Sequence, residues 1–248
     1  MKLSVMVVMA TLVVSLSVNT AVAQGQSENL AQGFVSVVKP GMAAQFEAAV
    51  KQHVEWRQQN NDPWTWTWFE VVNGETLGQY LVRSGNHRWA DFDAYEEWND
   101  RTGARAHFQT TVGPYLESIR SWITQQNAAL SRQPENFNEI SLLSVTEFDV
   151  RSPVEFFGAA AKFRAAADEA NWGGPALWQM GVNGISTALL VVPVRNWAGF
   201  ALPAQSGPAM LTEVYGQDEA REVMQQFGRS VRSQQSYVLR VRSDLSGR

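Results

Sequence analysis

The 248-residue chain contains no cysteine. It therefore has no disulfide, no thiolate metal ligand and no thiol nucleophile, and an oxidising compartment makes no covalent demand on its fold. Histidine is nearly as scarce: His53, His87 and His107 all fall in the first half, and without cysteine they do not make a structural zinc site. Positive charge is nowhere concentrated. Lys and Arg number 20 against 24 Asp and Glu, a formal net charge of −4, so the electrostatic footprint of a nucleic-acid binder is missing. No Gly-rich phosphate loop, GxSxG elbow, HExxH or EF-hand pattern occurs. The charged fraction of 18% is too low for a disordered chain, and 45% apolar residues with ten tryptophans leave packing as the source of stability.

There is one long hydrophobic run, from Leu3 to about Val18, preceded by Lys2 and followed by Ala21, Val22 and Ala23. It is shorter than the roughly 20 residues of a membrane-spanning helix and is interrupted by Thr11, Ser15 and Ser17, whereas the small residues after it form a cleavage pattern. Residues 1–23 therefore read as a secretory signal peptide cleaved after Ala23, which places the mature chain in the periplasm or outside the cell without stable membrane insertion. Gln24 follows the cleavage position, so an amino-terminal lipid is not expected.

The rest of the chain is written twice. Val71, Val72, Asn73 and Gly74 are echoed by Gly181, Val182, Asn183 and Gly184, and Trp89, Ala90 and Phe92 by Trp197, Ala198 and Phe200. Phe46 and Trp68 fall on Phe156 and Trp178, and Ala104 with Arg105 on Ala220 with Arg221. In-order matches across a hundred residues mark a repeat. Its units are residues 24–126 and 139–248, joined by a Gln-, Asn-, Ser- and Pro-rich linker at 127–138.

Periodicity gives each unit the same elements. In the first, a buried strand over 34–38 ends at Pro40 and Gly41, and Met42, Phe46, Ala49, Val50 and His53 make one face of a helix. That helix stops before Asp62 and Pro63, because the residue preceding proline is pushed out of the helical region. An alternating hairpin over 64–83 turns at Asn73 and Gly74. A short helix over 90–98, a longer one over 102–116 and a strand over 118–124 complete βαββαβ. The second unit reads as a strand over 140–148, a helix over 153–170 opened by Pro153, strands over 176–182 and 187–194, a helix over 219–231 and a strand over 237–242, with a loop around Pro203 to Pro208.

With this order of elements and stretches such as Trp89, Ala90, Asp91 and Phe92, the sequence resembles the dimeric α+β barrel superfamily, which includes the NIPSNAP and antibiotic-biosynthesis-monooxygenase types. The resemblance implies an α+β fold of two tandem ferredoxin-like βαββαβ units, packed sheet to sheet as an intrachain α+β barrel, an arrangement open to a monomer. It also implies a ligand site between the sheet and the two helices of a unit. In the haem-degrading monooxygenases of this group a histidine on the second helix ligates haem, a tryptophan lies shortly before it and an asparagine comes from the first strand. Trp98 and His107 match the first two. The strand Phe34, Val35, Ser36, Val37 and Val38 has no asparagine, so the match does not extend to haem degradation, while a neutral histidine could still bind haem iron without chemistry following.

His107 falls opposite Val223, which shares an apolar helix face with Ala220, Met224, Phe227 and Val231, so it is expected to point inward. Either it is a buried histidine satisfied by a carbonyl, or it lines a pocket open in the first unit and filled in the second. His53 lies on the inward stripe of its own helix. Trp64, Trp66 and Trp68 share one side of a strand, where they fill the core or face a flat aromatic ligand. His87 and Arg88 end a strand beside Trp89, either as a carboxylate site or as a solvated pair. Asp91, Asp93, Glu96 and Glu97 read as a solvated helix face. The expectation is an exported protein that binds a small hydrophobic or aromatic ligand through His53, Trp66, Trp68, His87, Arg88, Trp98 and His107, with no cofactor required. The alternatives are a cofactor-poor or haem-dependent monooxygenase, with His107 as ligand or base, and a structural or interaction module; whether the chain is an enzyme is left open by these residues.

Overall fold

Apolar alternation and helical stripes produce strands and helices in the order expected of a duplicated unit, in a computed structural model that describes residues 28–182 and 187–247. The signal peptide expected over 1–23 and the second turn expected at Asn183 and Gly184 lie outside the described residues. The first half runs β1 (Leu30–Val38), α1 (Ala43–Gln59), β2 (Thr67–Asn73), β3 (Tyr80–His87), α2 (Trp89–Thr102), α3 (Ala104–Thr111) and β4 (Leu116–Gln126). The second runs β5 (Leu142–Val150), α4 (Pro153–Glu169), β6 (Leu177–Gly181), β7 (Thr187–Val194), α5 (Gly207–Tyr215), α6 (Gln217–Ser230) and β8 (Val231–Val241). No helix of the described residues is long and apolar enough to cross a membrane.

The strands close into one antiparallel barrel in the order β1, β3, β2, β8, β5, β7, β6, β4. Each half contributes four neighbouring strands, and two seams join them: β2 with β8, where Phe69 faces Val241, and the shorter β4 with β6, where Thr124 faces Gly181. Because side chains alternate across a strand, one face of every strand points into the barrel, where Val35, Val71, Leu81, Val145, Leu177, Val191 and Leu239 pack together. The other face carries the helices. Gly33 is required inside the barrel: a Cβ there would lie 2.0 Å from the Trp122 ring. Arg242, just past β8, binds Glu47 of α1 at 2.6 Å and Glu70 of β2 at 3.0 Å, clamping the end of the second half to the first.

The two halves share one packing contact. Phe46 meets Trp68 edge to face at 5.9 Å and 72°, and Phe156 meets Trp178 at 5.7 Å and 77°, each pair pinning its first helix to its sheet.

Three element readings are corrected. The longer helix of the first pair is α2, with 14 residues against 8 for α3, because Gly103 adopts φ +73° and ends α2 in a left-handed turn. The stretch after Pro203 is not all loop: Ser206 caps Ala209 and buried Met210 and Leu211 anchor α5. Strand β8 begins at Val231 rather than Tyr237, since its exposed polar residues Arg232 to Ser236 are held by ladder pairing to β5 and not by apolar alternation.

Candidate functional site

A cavity of about 950 Å³ lies between the outer face of the first half's sheet and helices α1, α2 and α3. The sheet supplies Phe34, Ser36, Trp68 and Val82, the segment leading into β2 supplies Trp66, and the helices supply His53, Arg57, Tyr95 and Phe108. In the second half Phe148 stands where the first has Ser36, and its ring packs with Phe227 on the Phe156 and Trp178 anchor, the rings 5.1–6.0 Å apart.

Arg57 organises the cavity. It stands one turn after His53 on the inner face of α1. Its Nε donates to Asp62 at 2.5 Å and its Nη2 donates to the Tyr95 hydroxyl, while the guanidinium lies 5.2 Å from the Trp66 ring and 5.3 Å from Trp98. Asp62 is held in place by the backbone N–H of Trp64 at 2.9 Å. The turn that allows this passes through Asn61 at φ +53°, a conformation asparagine tolerates. Burial pushes the Tyr95 phenol up, against the opposing pull of Arg57, so it stays protonated at neutral pH.

The aromatic wall is a linked stack. Trp64 stacks on Tyr95 at 4.0 Å and on His87 at 3.8 Å, and Tyr95 stacks on Trp98 at 5.5 Å. Trp66 tilts against Phe34 at 5.8 Å. Its Nε1 has no partner of hydrogen-bonding geometry among the described residues, although it lies near enough to Tyr95 to favour the phenolate slightly. Ser36, fully buried on the same wall, has an equally unpartnered Oγ.

His53 and His107 meet through their Nδ1 atoms at 2.9 Å, one donating and the other accepting. Desolvation, reinforced by Arg57 and by His107, pushes His53 down to about 3, and burial lowers His107 as well, so the pair is neutral at pH 7. A base this weak holds or accepts a hydrogen bond; it does not remove a proton from a phenol.

The structure brings His53, Trp66 and Trp68 together with Trp64 on the cavity wall. His107 is not part of that wall: it lies in the seam between α1 and α3, stacked on Trp56 at 4.4 Å. Trp98 lies beneath Arg57 and donates its Nε1 to the Asn60 carbonyl at 3.0 Å. His87 accepts or donates through Nε2 to Ser84 at 2.7 Å and, with Trp98, lines a neighbouring hollow of about 650 Å³. Arg88 is exposed at the start of α2, where its backbone and side chain bind Asp91. Glu96, read as solvated, lies on the cavity rim. Sequence reasoning missed Arg57, Asp62 and Tyr95; the spacing of Arg57 four residues after His53 was the available signal.

No protein-family model matches this sequence, and no curated protein matches it. Solved structures do. A candidate monooxygenase from Fusobacterium nucleatum superposes with a TM-score of 0.55 at 10% identity, covering 88% of this chain and 94% of that one. An anthrone oxidase-like protein gives 0.53 at 12% identity, with 88% and 92% covered. A candidate chlorite dismutase gives 0.51 at 10% identity, with 88% and 97% covered. At these identities the likeness shows the fold: a ferredoxin-like α+β barrel.

Proposed function

We propose that the protein binds a planar aromatic molecule in the cavity of its first half. The observation that carries this reading is the asymmetry of the two halves: the first keeps a space walled by Trp64, Trp66, Phe34 and Tyr95, and the second sets the Phe148 ring where the first has Ser36. Aromatic walls gain from stacking on a flat ligand beyond simple area burial, and a concave apolar site with a few convergent polar groups is the usual form of a small-molecule site. Titrating the purified protein with flat tricyclic aromatics is expected to quench tryptophan fluorescence saturably, and Phe108→Trp, which narrows the cavity, to weaken that quenching at least tenfold. Failure of a broad panel to quench would remove the reading. The leader at 1–23 puts this activity outside the cytoplasm, which amino-terminal sequencing of the exported protein tests by a start at Gln24.

A second reading, oxidation of the bound molecule, draws on the naming of the fold neighbours as monooxygenases and oxidases. Neutral His53, the Tyr95 hydroxyl and Arg57 would orient the substrate, and the aromatic wall would exclude water. Haem fits at one residue only. His107, matched to the iron ligand of the resembling group, lies against Trp56, so His53 would hold the group, with its Nδ1 fixed by His107 and its ring on the cavity wall. Bound there, haem would supply an iron centre for oxygen chemistry. Adding haem and recording a Soret band that His53→Ala abolishes and His107→Ala only perturbs would support this version. Oxygen consumption with an aromatic substrate in the absence of haem would support the cofactor-poor one.

A further inference from the structure

We infer that the molecule taken by this cavity carries a carbonyl-type oxygen on its aromatic frame, read by the Trp66 indole N–H and the Ser36 hydroxyl; this rests on the aromatic-ligand reading and narrows it. Both atoms are buried, both residues line the cavity, and neither atom has a partner of hydrogen-bonding geometry among the described residues, the Tyr95 hydroxyl near Trp66 already accepting from Arg57. Buried polar groups are satisfied in the great majority of cases, so two orphans converging on one cavity point to a group that arrives with the ligand. An indole N–H donates only, which excludes a hydrocarbon or an ammonium group as its partner and requires an acceptor. The serine hydroxyl donates to the same kind of atom.

The charge at the site decides which acceptor. The Arg57 guanidinium sits 5.2 Å from the Trp66 ring, but Asp62 already matches its charge and the Tyr95 hydroxyl takes a second N–H. The charge beside Trp66 is thus already matched, and the other cations of the lining, Arg105 and Arg120, are solvent-exposed, so the two buried donors suit a neutral carbonyl better than a carboxylate. Phe34 lies two residues before Ser36 on the same face of β1 and 5.8 Å from Trp66, so an aromatic surface flanks the two donors. A ring ketone held flat against that surface presents its oxygen in the plane of the frame, where an N–H approaches a carbonyl best.

9-Fluorenone and fluorene test this, since they share one tricyclic frame and differ in the carbonyl. Affinities measured by fluorescence titration are expected to favour fluorenone by about tenfold, the size of effect two modest hydrogen bonds produce. Trp66→Phe, which keeps an aromatic ring but not the N–H, and Ser36→Ala are each expected to cut that preference, read as the ratio of the two affinities within one variant, by about threefold. In an amide and indole ¹⁵N correlation spectrum of the unaltered protein, the Trp66 indole peak should move downfield with fluorenone and not with fluorene. Equal affinities in the unaltered protein, or a stationary indole peak with fluorenone bound, would overturn the carbonyl assignment while leaving the aromatic cavity standing. Binding of neither compound would overturn both. Should either variant fail to fold, the affinity ratio and the indole shift of the unaltered protein decide the matter.

Discussion

The two halves share an order of elements and a Phe–Trp anchor but use the inner faces of their helices in opposite ways. On α4 the inner positions are Ala159, Ala160, Ala166 and Ala167, small enough for α5 and α6 to close down, with Met210 and Leu211 filling what remains. On α1 the equivalents of Phe163 and Ala167 are His53 and Arg57, polar groups that hold one another, Asp62, Tyr95 and His107 around an open space. The lesson is that a cavity in such a barrel follows from side-chain volume and polarity on two helices, not from a different backbone topology.

The sharpest way to break this comparison is to hollow the solid half. Phe156 is fully buried against Phe148, Phe157, Trp178 and Phe227, so Phe156→Ala should cost about 4 kcal/mol in a denaturant titration. Phe108→Ala on the cavity wall should cost roughly 1 kcal/mol, because that side chain already lacks partner atoms on its open side. Equal losses would mean that the first half is as solid as the second. Arg57→Met comes next. It strands Asp62, whose side chain is 8% exposed, and should cost about 2 kcal/mol, of which adding Asp62→Asn recovers roughly half. No recovery in the double variant would show that Arg57 acts through its aromatic contacts alone.

Much of the fold could be read from the sequence because duplication supplies an internal control. Phe46 and Trp68 recur in order as Phe156 and Trp178, and the helical stripe of Phe46, Ala49, Val50 and His53 names the buried face of α1. What could not be read has physical causes. Strand β8 starts early among exposed polar residues because backbone pairing, not side-chain pattern, holds it there. The lengths of α2 and α3 hinge on one left-handed glycine. At the site, the aromatic wall and His53 were legible because burial leaves a periodic signature, but His107 was drawn to the α1–α3 seam by Trp56 and His53, contacts between elements that no local pattern encodes. Arg57 was missed because a charged residue on a buried stripe is recognisable only once its partners Asp62 and Tyr95 are seen to reach it.

The difference between the halves should also titrate. Burial, with Arg57 and His107 beside it, pushes His53 from the ordinary 6.5 of histidine down to about 3, so the folded state resists a proton that the unfolded chain accepts. Its stability contribution is therefore complete above about pH 6.5 and declines as the pH falls from there toward 3. Between pH 7 and 5.5 the unaltered protein should lose about 1 kcal/mol that His53→Gln does not lose. The second half has no histidine, so identical pH profiles for the two proteins would contradict the burial of His53.

The smallest expected effect compares ion pairs. Lys162 and Glu219 join α4 to α6 at 2.8 Å, but their side chains are 47% and 44% exposed, whereas Arg57 and Asp62 in the first half are 15% and 8% exposed. An exposed pair gains little Coulomb energy in water, is screened by salt and pays in side-chain entropy to hold its geometry. Lys162→Ala should therefore leave the denaturation midpoint within experimental error, and raising the salt concentration should not separate the variant from the unaltered protein. A clear loss of stability would mean that α4 and α6 are held together by charge, and that the alanines between them do not pack closely enough to account for the filled half.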